Sequence, residues 1–308
     1  MSGAALLGGW AADLVAGDPR RWHPVAGFGR LALAIERAVY APSRVRGVLH
    51  CATLVALAAA AGELLARAAC RARVGRGTAL AALTWAALGG RSLAREATGI
   101  AERLGRDDLD GARAALPALA GRDPAGLDAP GIARAAIESV AENTSDAVLG
   151  ALLWGALAGP AGVAAYRAAN TLDAMVGHRS KRYAAFGWAS ARLDDALGWL
   201  PARAGVALTA VCAPLAGGSR RGAWTVARRD GARHPSPNAG RMEAVFAGAL
   251  GVRLGGPLAY GGRAELRPVL NAPGRAPEAA DVRRAARLSL AVGAVGAVAA
   301  AGLREARA

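Results

Sequence analysis

Lysine is almost missing from this chain. Lys181 is the only one in 308 residues, so nearly all of the 38 basic residues are arginine. Arginine use on that scale reads as a coding bias and not as selection for phosphate contacts. Aromatic residues make up only 5%, which leaves little for stacking on bases. The cations are not gathered in one stripe either, so the net charge of +15 does not read as a nucleic-acid interface. Cysteine is equally sparse. Cys51, Cys70 and Cys212 are odd in number, far apart, and in or beside apolar runs. That pattern gives neither a disulfide framework nor a zinc site, and fits reduced thiols.

Other absences narrow the chemistry. No G-x-x-x-x-G-K-[ST] loop exists, because the only lysine follows Ser180. HExxH, CxxC and G-x-S-x-G are also missing. GFGRLA at 27–32 matches only a degenerate GxGxxA, and no strand precedes it. Asn143-Thr144-Ser145 fits a glycosylation sequon by chance. The opening MSGAALLGGWAADLVAGDP lacks a basic n-region and carries Asp13, so no cleaved signal peptide is expected.

What remains is apolar. Hydrophobic residues reach 54% and mean hydropathy is +0.24, despite the charge. A bilayer protein combines these through apolar spans and cationic loops. A spanning helix needs roughly 20 mostly apolar residues. Residues 47–66, 77–90, 147–166, 204–218 and 288–303 approach that, with GPAG interrupting at 159–162 and Pro214 within the fourth. The expected fold is all-α: a polytopic integral membrane helical protein with about 4–5 membrane segments, some broken or re-entrant, and polar loops forming the site. The chain reads as one membrane-embedded domain, 1–308. A soluble Ala-rich helical protein is the alternative.

Between the spans, residues 91–129 read as amphipathic helix and turns, with a Pro/Gly break at 121–131. Pro130 suits the first turn of a helix. Residues 219–287 read as a basic, loop-rich region. No β-alternation and no internal repeat stand out. RRWHPVAG (20–27) and ARHPSPNAG (232–240) echo each other. In each, a proline pushes the preceding His23 or His234 out of helical geometry.

Polar chemistry crowds the shoulders of 147–166. On a helix from about 131, Arg134, Glu138, Glu142 and Asp146 are four apart and share one face. Like charges at that spacing repel, and a cation lying against them removes the repulsion. After the apolar run come Arg167, Asn170, Asp173, His178, Arg179, Lys181, Arg182, Arg192, Asp194, Asp195 and Arg203. Acids that can hold a hard cation are mixed there with arginines that can hold phosphate. A wet helix face and a salt-bridged loop are the plain structural alternatives.

These stretches resemble the CobD/CbiB family, the adenosylcobinamide-phosphate synthases of cobalamin biosynthesis. The likeness rests on DLVAGDP…WHPVAG at 13–27, GIARAAIESVAENTSD at 131–146 and YRAANTLDAMVG at 166–177. It continues through RYAAFGWASARLDD at 182–195, WLPAR at 199–203, RDGARHPSPNAG at 229–240 and AGALGVRLGG at 247–256. It departs at His178, where an aromatic is expected, and at Gly198, where Asn is usual.

The resemblance implies a multi-pass enzyme of the cell membrane. It implies ATP-dependent joining of an adenosylcobyric acid carboxylate to 1-aminopropan-2-ol or its O-phosphate, through an acyl phosphate. Magnesium and ATP are the implied cofactors. The implied partners are the lipid bilayer, the corrinoid, aminopropanol phosphate and other cobalamin-assembly enzymes, with no nucleic acid. Glu138, Glu142, Asp146 and Asp173 are then candidates for metal and catalysis. Arg179, Lys181, Arg192 and Arg203 are candidates for phosphate, with Asp18, Arg167, Asn170, Asp194, Asp195, Arg233 and Asn238 beside them for substrate. His23 or His234 accepts the proton lost by the amine, since histidine titrates near neutral pH. A transporter or channel is the rival class, because intramembrane acids and broken helices mark it too. The absence of a repeat relating the two halves counts against it.

Simple crossings of all five apolar runs would separate the acid stripe from the Arg-rich motif by about 30 Å of hydrocarbon. One reaction could not use both. The sequence therefore predicts that 147–166 is broken near GPAG, with Asp146 and Asn170 opening on one polar cavity. An incomplete 204–218 would bring His234 to the same cavity.

Overall fold

The computed structural model describes residues 3–18, 23–121, 123–178, 180–260 and 263–307. Fourteen α-helices and two strands occur among them. In chain order the first helices are α1 (Ala4–Ala16), α2 (Pro24–Val39), α3 (Arg44–Arg71) and α4 (Arg76–Ala87). Next come α5 (Gly90–Leu104), α6 (Leu109–Ala115), α7 (Ala129–Asn143) and α8 (Gly150–Leu172). Then follow α9 (Tyr183–Phe186), α10 (Trp188–Leu197), α11 (Trp199–Cys212), α12 (Arg220–Asp230) and α13 (Ala239–Leu250). Strands β1 (Leu254–Tyr260) and β2 (Arg263–Leu270) precede the last helix, α14 (Ala279–Glu305).

Four helical runs are long and apolar enough to cross a membrane: Arg44–Arg71, Ala129–Gly177, Trp199–Ala216 and Ala279–Glu305. The chain is thus an all-α polytopic membrane protein, as its composition predicts. Residues 77–90 fall short. Their helix α4 has 12 residues, about 18 Å at 1.5 Å per residue, against a hydrocarbon core of about 30 Å. Helix α3 carries exposed Val48, Leu49, Leu57, Leu64 and Leu65. Such a face is stable only when lipid covers it.

The chain falls into two compact units. The first comprises Met1–Gly89, Asp146–Gly198 and Gly296–Ala308; the second comprises Gly90–Ser145 and Trp199–Val295. In the first unit, Leu6, Leu80, Leu88, Leu152, Val163 and Tyr166 form the main core. Small residues set its helix spacing. A Cβ on Gly9 of α1 would lie 2.6 Å from the Ala81 carbonyl oxygen of α4. A Cβ on Gly62 of α3 would lie 2.6 Å from the Pro160 oxygen of α8. Close backbone approach of this kind is how apolar helices pack where lipid supplies no hydrophobic drive.

Helix α8 is broken where the sequence predicts. Gly159 has φ 64° and ψ −147°, a conformation essentially reserved for glycine, and Pro160 follows it. Two further departures are invisible in the sequence. Residues Thr144–Leu149 and Asp173–Gly177 wind as π-helix, so Asp146 and Asp173 both lie in π turns. The regular spacing of Arg134, Glu138 and Glu142 therefore does not carry on to Asp146: α7 ends at Asn143, and wider winding moves the next acid off that face.

In the second unit, α13 is buried along nearly its whole length, including Met242, Glu243, Val245 and Phe246. Helix α7 starts as predicted. The Asp128 side chain caps it by accepting from Gly131 N at 2.8 Å, with Pro130 in the first turn. The 219–287 region corrects the sequence reading. It is not loop-rich, because α12, α13 and the antiparallel β1–β2 hairpin occupy most of it. The hairpin escaped because LGGPLAY has no apolar alternation. Its register shifts between Leu254 and Gly256, where Gly255 and Gly256 adopt φ of 77° and 89°.

Candidate functional site

The predicted residues divide between the units. Asp18, His23, Asp146, Arg167, Asn170, Asp173, Lys181, Arg192, Asp194 and Asp195 belong to the first; Glu138, Glu142, Arg203, Arg233, His234 and Asn238 belong to the second. Arg179 lies outside the described residues.

Residues of four sequence motifs come together in the first unit. Gly17, at φ 64°, ends α1 and turns the chain to Asp18. Arg167, Asn170 and Thr171 share one face of α8, and Asp194 stands on α10. Arg167 Nη1 donates to Asn170 Oδ1 at 3.1 Å, and Asn170 Nδ2 donates to Asp194 Oδ1 at 3.2 Å. The Arg167 guanidinium lies in the field of Asp18, Asp146 and Asp194. Asp146 and Asp194 also act on the hydroxyl of Tyr166. Asn170 thus bonds the guanidinium on which Asp146 acts electrostatically. An apolar cavity of about 260 Å³ between α2, α3, α4 and α8 has Arg167 in its wall.

Three polar atoms of this group are buried with no hydrogen-bond partner among the described residues: Asp18 Oδ1, Tyr166 Oη and Arg167 Nε. The sequence reading missed Tyr166. Its signal was a tyrosine directly preceding the arginine, deep in an apolar run. The other first-unit candidates have these surroundings. Lys181 is exposed. Arg192 pairs with Asp195 at 3.3 Å on the surface. His23 caps α2, its Nδ1 accepting from Val25 N at 3.2 Å. Asp173 is half-buried at the start of its π turn.

Beyond that network, Arg182 donates to the buried Glu36 at 3.0 Å and lies 4.0 Å over the Tyr40 ring. Tyr183 also donates to Glu36, at 2.9 Å, and burial above all pushes its hydroxyl pKa up.

In the second unit, Arg134 and Glu138 hold the hairpin. Glu138 Oε1 accepts from Gly255 N at 2.6 Å, and Arg134 donates to the Gly255 and Pro257 carbonyls at 2.7 and 2.8 Å. Glu138 is 1% exposed. Beside them a groove of about 1260 Å³ is lined by Asp123, Asp128, Arg134, Arg253 and Gly255–Pro257. Glu142 is half-buried on α7.

His234 is buried against Arg267 and Glu243. Arg267 Nη1 lies 3.0 Å from His234 Nε2, and both groups are 3.9 Å from Glu243 Oε1. An arginine only donates, and Ser236 N donates to Nδ1 at 3.1 Å, so both ring nitrogens of His234 face N–H donors. Proton acceptance by His234 therefore requires one of these donors to turn away. Arg203 donates to Asn238 Oδ1 at 2.8 Å and stacks 4.3 Å over the Trp199 ring. Arg233 lies 3.5 Å from Asp230 Oδ1. Arg229 grips the same carboxylate at 2.7 Å and holds its pKa below the usual range.

No three His, Cys, Asp or Glu side chains among the described residues converge closely enough to hold a metal ion.

Comparison with known proteins places the whole chain. The CobD/Cbib protein family profile matches residues 6–289. "Cobalamin biosynthesis protein CobD" of Mycobacterium tuberculosis is 53% identical over 293 residues, covering 95% of this chain and 93% of that protein. The protein of the same name from Geobacter metallireducens is 43% identical, covering 93% and 92%. That from Rhodobacter capsulatus is 42% identical, covering 88% of each. No solved structure matches. With a family profile over residues 6–289 and relatives matched over most of their length, this chain belongs to the CobD/CbiB family of cobalamin biosynthesis proteins.

Proposed function

We propose that this protein is an ATP-dependent amide ligase of the cell membrane. It joins the free carboxylate of adenosylcobyric acid to the amine of 1-aminopropan-2-ol or its O-phosphate. The observation that carries this reading is the hydrogen-bonded chain Arg167–Asn170–Asp194 with Asp18 and Asp146 acting on the same guanidinium, residues drawn from four separate sequence motifs, within a membrane protein of this family. Buried polar groups in a bilayer protein mark substrate or ion paths more often than packing.

A carboxylate is a poor electrophile. In the proposed reaction its oxygen attacks the γ-phosphorus of ATP, ADP leaves, and an acyl phosphate forms. The amine nitrogen then attacks the acyl carbon, inorganic phosphate leaves, and the nitrogen gives up a proton. His23 and His234 are the proposed acceptors of that proton. Arg203, Arg233, Arg192, Lys181 and Arg179 are the proposed phosphate contacts. Their cationic side chains offset charge on the transferring group.

Magnesium suits the donor chemistry, since carboxylate oxygens are its preferred protein ligands. It keeps several waters and commonly takes only one or two carboxylates beside substrate phosphates, so a cage of three is not needed. Asp146, Asp173 and Glu142 are the proposed donors. Glu138 is a weaker one, because its Oε1 already accepts from Gly255 N. Bound magnesium would neutralise charge on the transferring phosphoryl oxygens.

The test is direct. Purified protein in detergent is mixed with adenosylcobyric acid, aminopropanol phosphate, ATP and magnesium. Mass spectrometry is expected to find the amide, with one ADP per bond formed. No amide under any of these conditions overturns the reading. Gradient-driven corrinoid movement in vesicles without amide would favour a transporter instead.

A further inference from the structure

We propose that the cavity between α2, α3, α4 and α8 of the first unit is a side pocket for one acyl chain of a bilayer lipid. This goes beyond the ligase reading and does not rest on it. The cavity has a volume of about 260 Å³. Phe28 of α2, Ala58, Ala61 and Leu65 of α3, Leu83 of α4 and Val163 of α8 line it. Arg167 and Thr171 are the polar residues of its lining. Thr171 spends its hydroxyl on the Arg167 carbonyl at 2.7 Å, and Arg167 gives Nη1 to Asn170 Oδ1 at 3.1 Å. What is left to the cavity is one edge of a guanidinium, with Nε buried and unpartnered. A buried water needs roughly two to four polar partners, so this space suits hydrocarbon and not water. An apolar cavity of about 150 Å³ already takes a benzene ring, so this one has room for a longer stretch of chain. Left vacant, it would forfeit dispersion contacts along its whole lining.

Depth decides the occupant. Helix α3 has 28 residues, about 42 Å at 1.5 Å per residue. That matches the roughly 40–45 Å of a bilayer with its headgroup layers, so Arg44 and Arg71 reach opposite headgroup layers. Ala58 then stands at the midplane, and Leu65 lies about 10 Å beyond it. Both fall within a hydrocarbon half-layer of about 15 Å. Ala61 and Leu65 are exposed and also line the cavity. Leu57 and Leu64, on the same face of α3, are exposed too. The mouth therefore opens into a layer whose solvent is acyl chain. The inner wall belongs to α8 just past its kink, where Val163 and Ala168 are buried. A chain entering beside Ala61 and Leu65 meets these two residues, and a chain lying along the outside of α3 does not.

Photo-crosslinking of the full chain in phosphatidylcholine vesicles tests this. The probe is a phosphatidylcholine carrying a diazirine near the end of one acyl chain, and labelled residues are mapped by mass spectrometry of peptides. The wild type should be labelled at Val163 or Ala168 as well as at Leu57 and Leu64. Filling the cavity with Ala58→Leu and Ala61→Phe together should abolish the label at Val163 and Ala168 and keep it at Leu57 and Leu64. Ala61→Leu alone, at an exposed helical position that leucine fits, should reduce the same inner label and guards against misfolding of the double variant. Wild-type label confined to the outer face of α3 overturns the proposal. So does inner label that neither variant reduces. Inner label from a probe with its diazirine on the headgroup, and none from the chain-end probe, overturns the acyl chain as occupant. The ligase reading fails separately, through absence of the amide product in the wild-type reaction.

Discussion

Gly150→Ala tests the packing on which the Arg167 network depends. Gly150 opens α8, and a Cβ there would overlap Cζ, Oη and Cε1 of Tyr166. Two effects compete. Alanine in place of glycine in a helix gains about 1 kcal/mol of propensity. An added methyl in a filled core costs about 1–3 kcal/mol, and the cost is high when the obstacle is rigid. Here the obstacle is an aromatic ring, 1% exposed, in a core with Leu152 and Val163. Rotating χ1 of Tyr166 moves the whole ring, so no flexible tip can step aside. The clash should win. The expected net loss is about 1–2 kcal/mol, or a few degrees in the thermal midpoint of the detergent-solubilised protein. The ring displacement should also shift the Tyr166 hydroxyl beside Arg167, so turnover in the amide assay falls with stability. Gly150→Ala combined with Tyr166→Leu should recover part of the stability but not the turnover. A Gly150→Ala protein as stable as the wild type, with unchanged turnover, would refute the argument.

Other outcomes follow from single contacts. Gly159→Ala should lower the thermal midpoint, because φ 64°, ψ −147° strains any side-chain-bearing residue by about 1–3 kcal/mol; an unchanged midpoint would mean α8 is not locked in its kink. Glu138→Ala should expose the hairpin to limited proteolysis between Gly255 and Arg267, whereas Glu138→Gln keeps an acceptor for Gly255 N and should not. Glu142→Gln should abolish amide formation in a folded, membrane-inserted protein, and near-normal turnover at saturating magnesium would remove it from the site. Asp230 has a depressed pKa, so its share of stability is complete above the ordinary carboxylate range of about 4 and is lost as pH falls through the lower folded value. Asp230→Asn should therefore flatten the acid limb of a plot of thermal midpoint against pH, and an unchanged limb would contradict the Arg229 pairing.

The sequence was legible where backbone chemistry is local. The apolar runs became helices, Pro130 opened α7 behind an Asp128 cap, and GPAG broke α8 at Gly159. Prolines after His23 and His234 announced non-helical geometry, and His23 does cap a helix. Features that depend on winding or on distant partners stayed hidden. A π turn needs only one extra residue in a hydrogen-bonded loop, which Thr-Ser-Asp and Asp-Ala-Met do not announce. The hairpin has Gly-Gly-Pro at its start, and its stability comes from Arg134 and Glu138, more than 100 residues earlier. Tyr166 looked like one more aromatic in a span until its hydroxyl proved to lack a partner.

The acids of the GIARAAIESVAENTSD motif illustrate why one helical stripe need not mean one role. Spacing by four made Glu138, Glu142 and Asp146 look equivalent. Burial and winding separate them. Glu138 is sealed against Gly255 N, where its charge is matched by a backbone donor and Arg134 holds the same strand. A carboxylate so engaged gives up a short hydrogen bond before it can serve a ligand, a cost of about 1.5–3 kcal/mol. Glu142 stays half-buried on regular helix. Asp146, one π turn further, leaves the stripe and belongs to the first unit, where its charge acts on Arg167 and Tyr166 as that of Asp194 does. The π turn is thus the device that turns a repeating pattern into divided labour: Glu138 serves the hairpin, while Asp146 lies beyond the change of winding. Removing one residue from Thr144–Leu149 would restore α-helical winding, return Asp146 to the stripe, and should abolish amide formation without altering the Glu138 contact to Gly255.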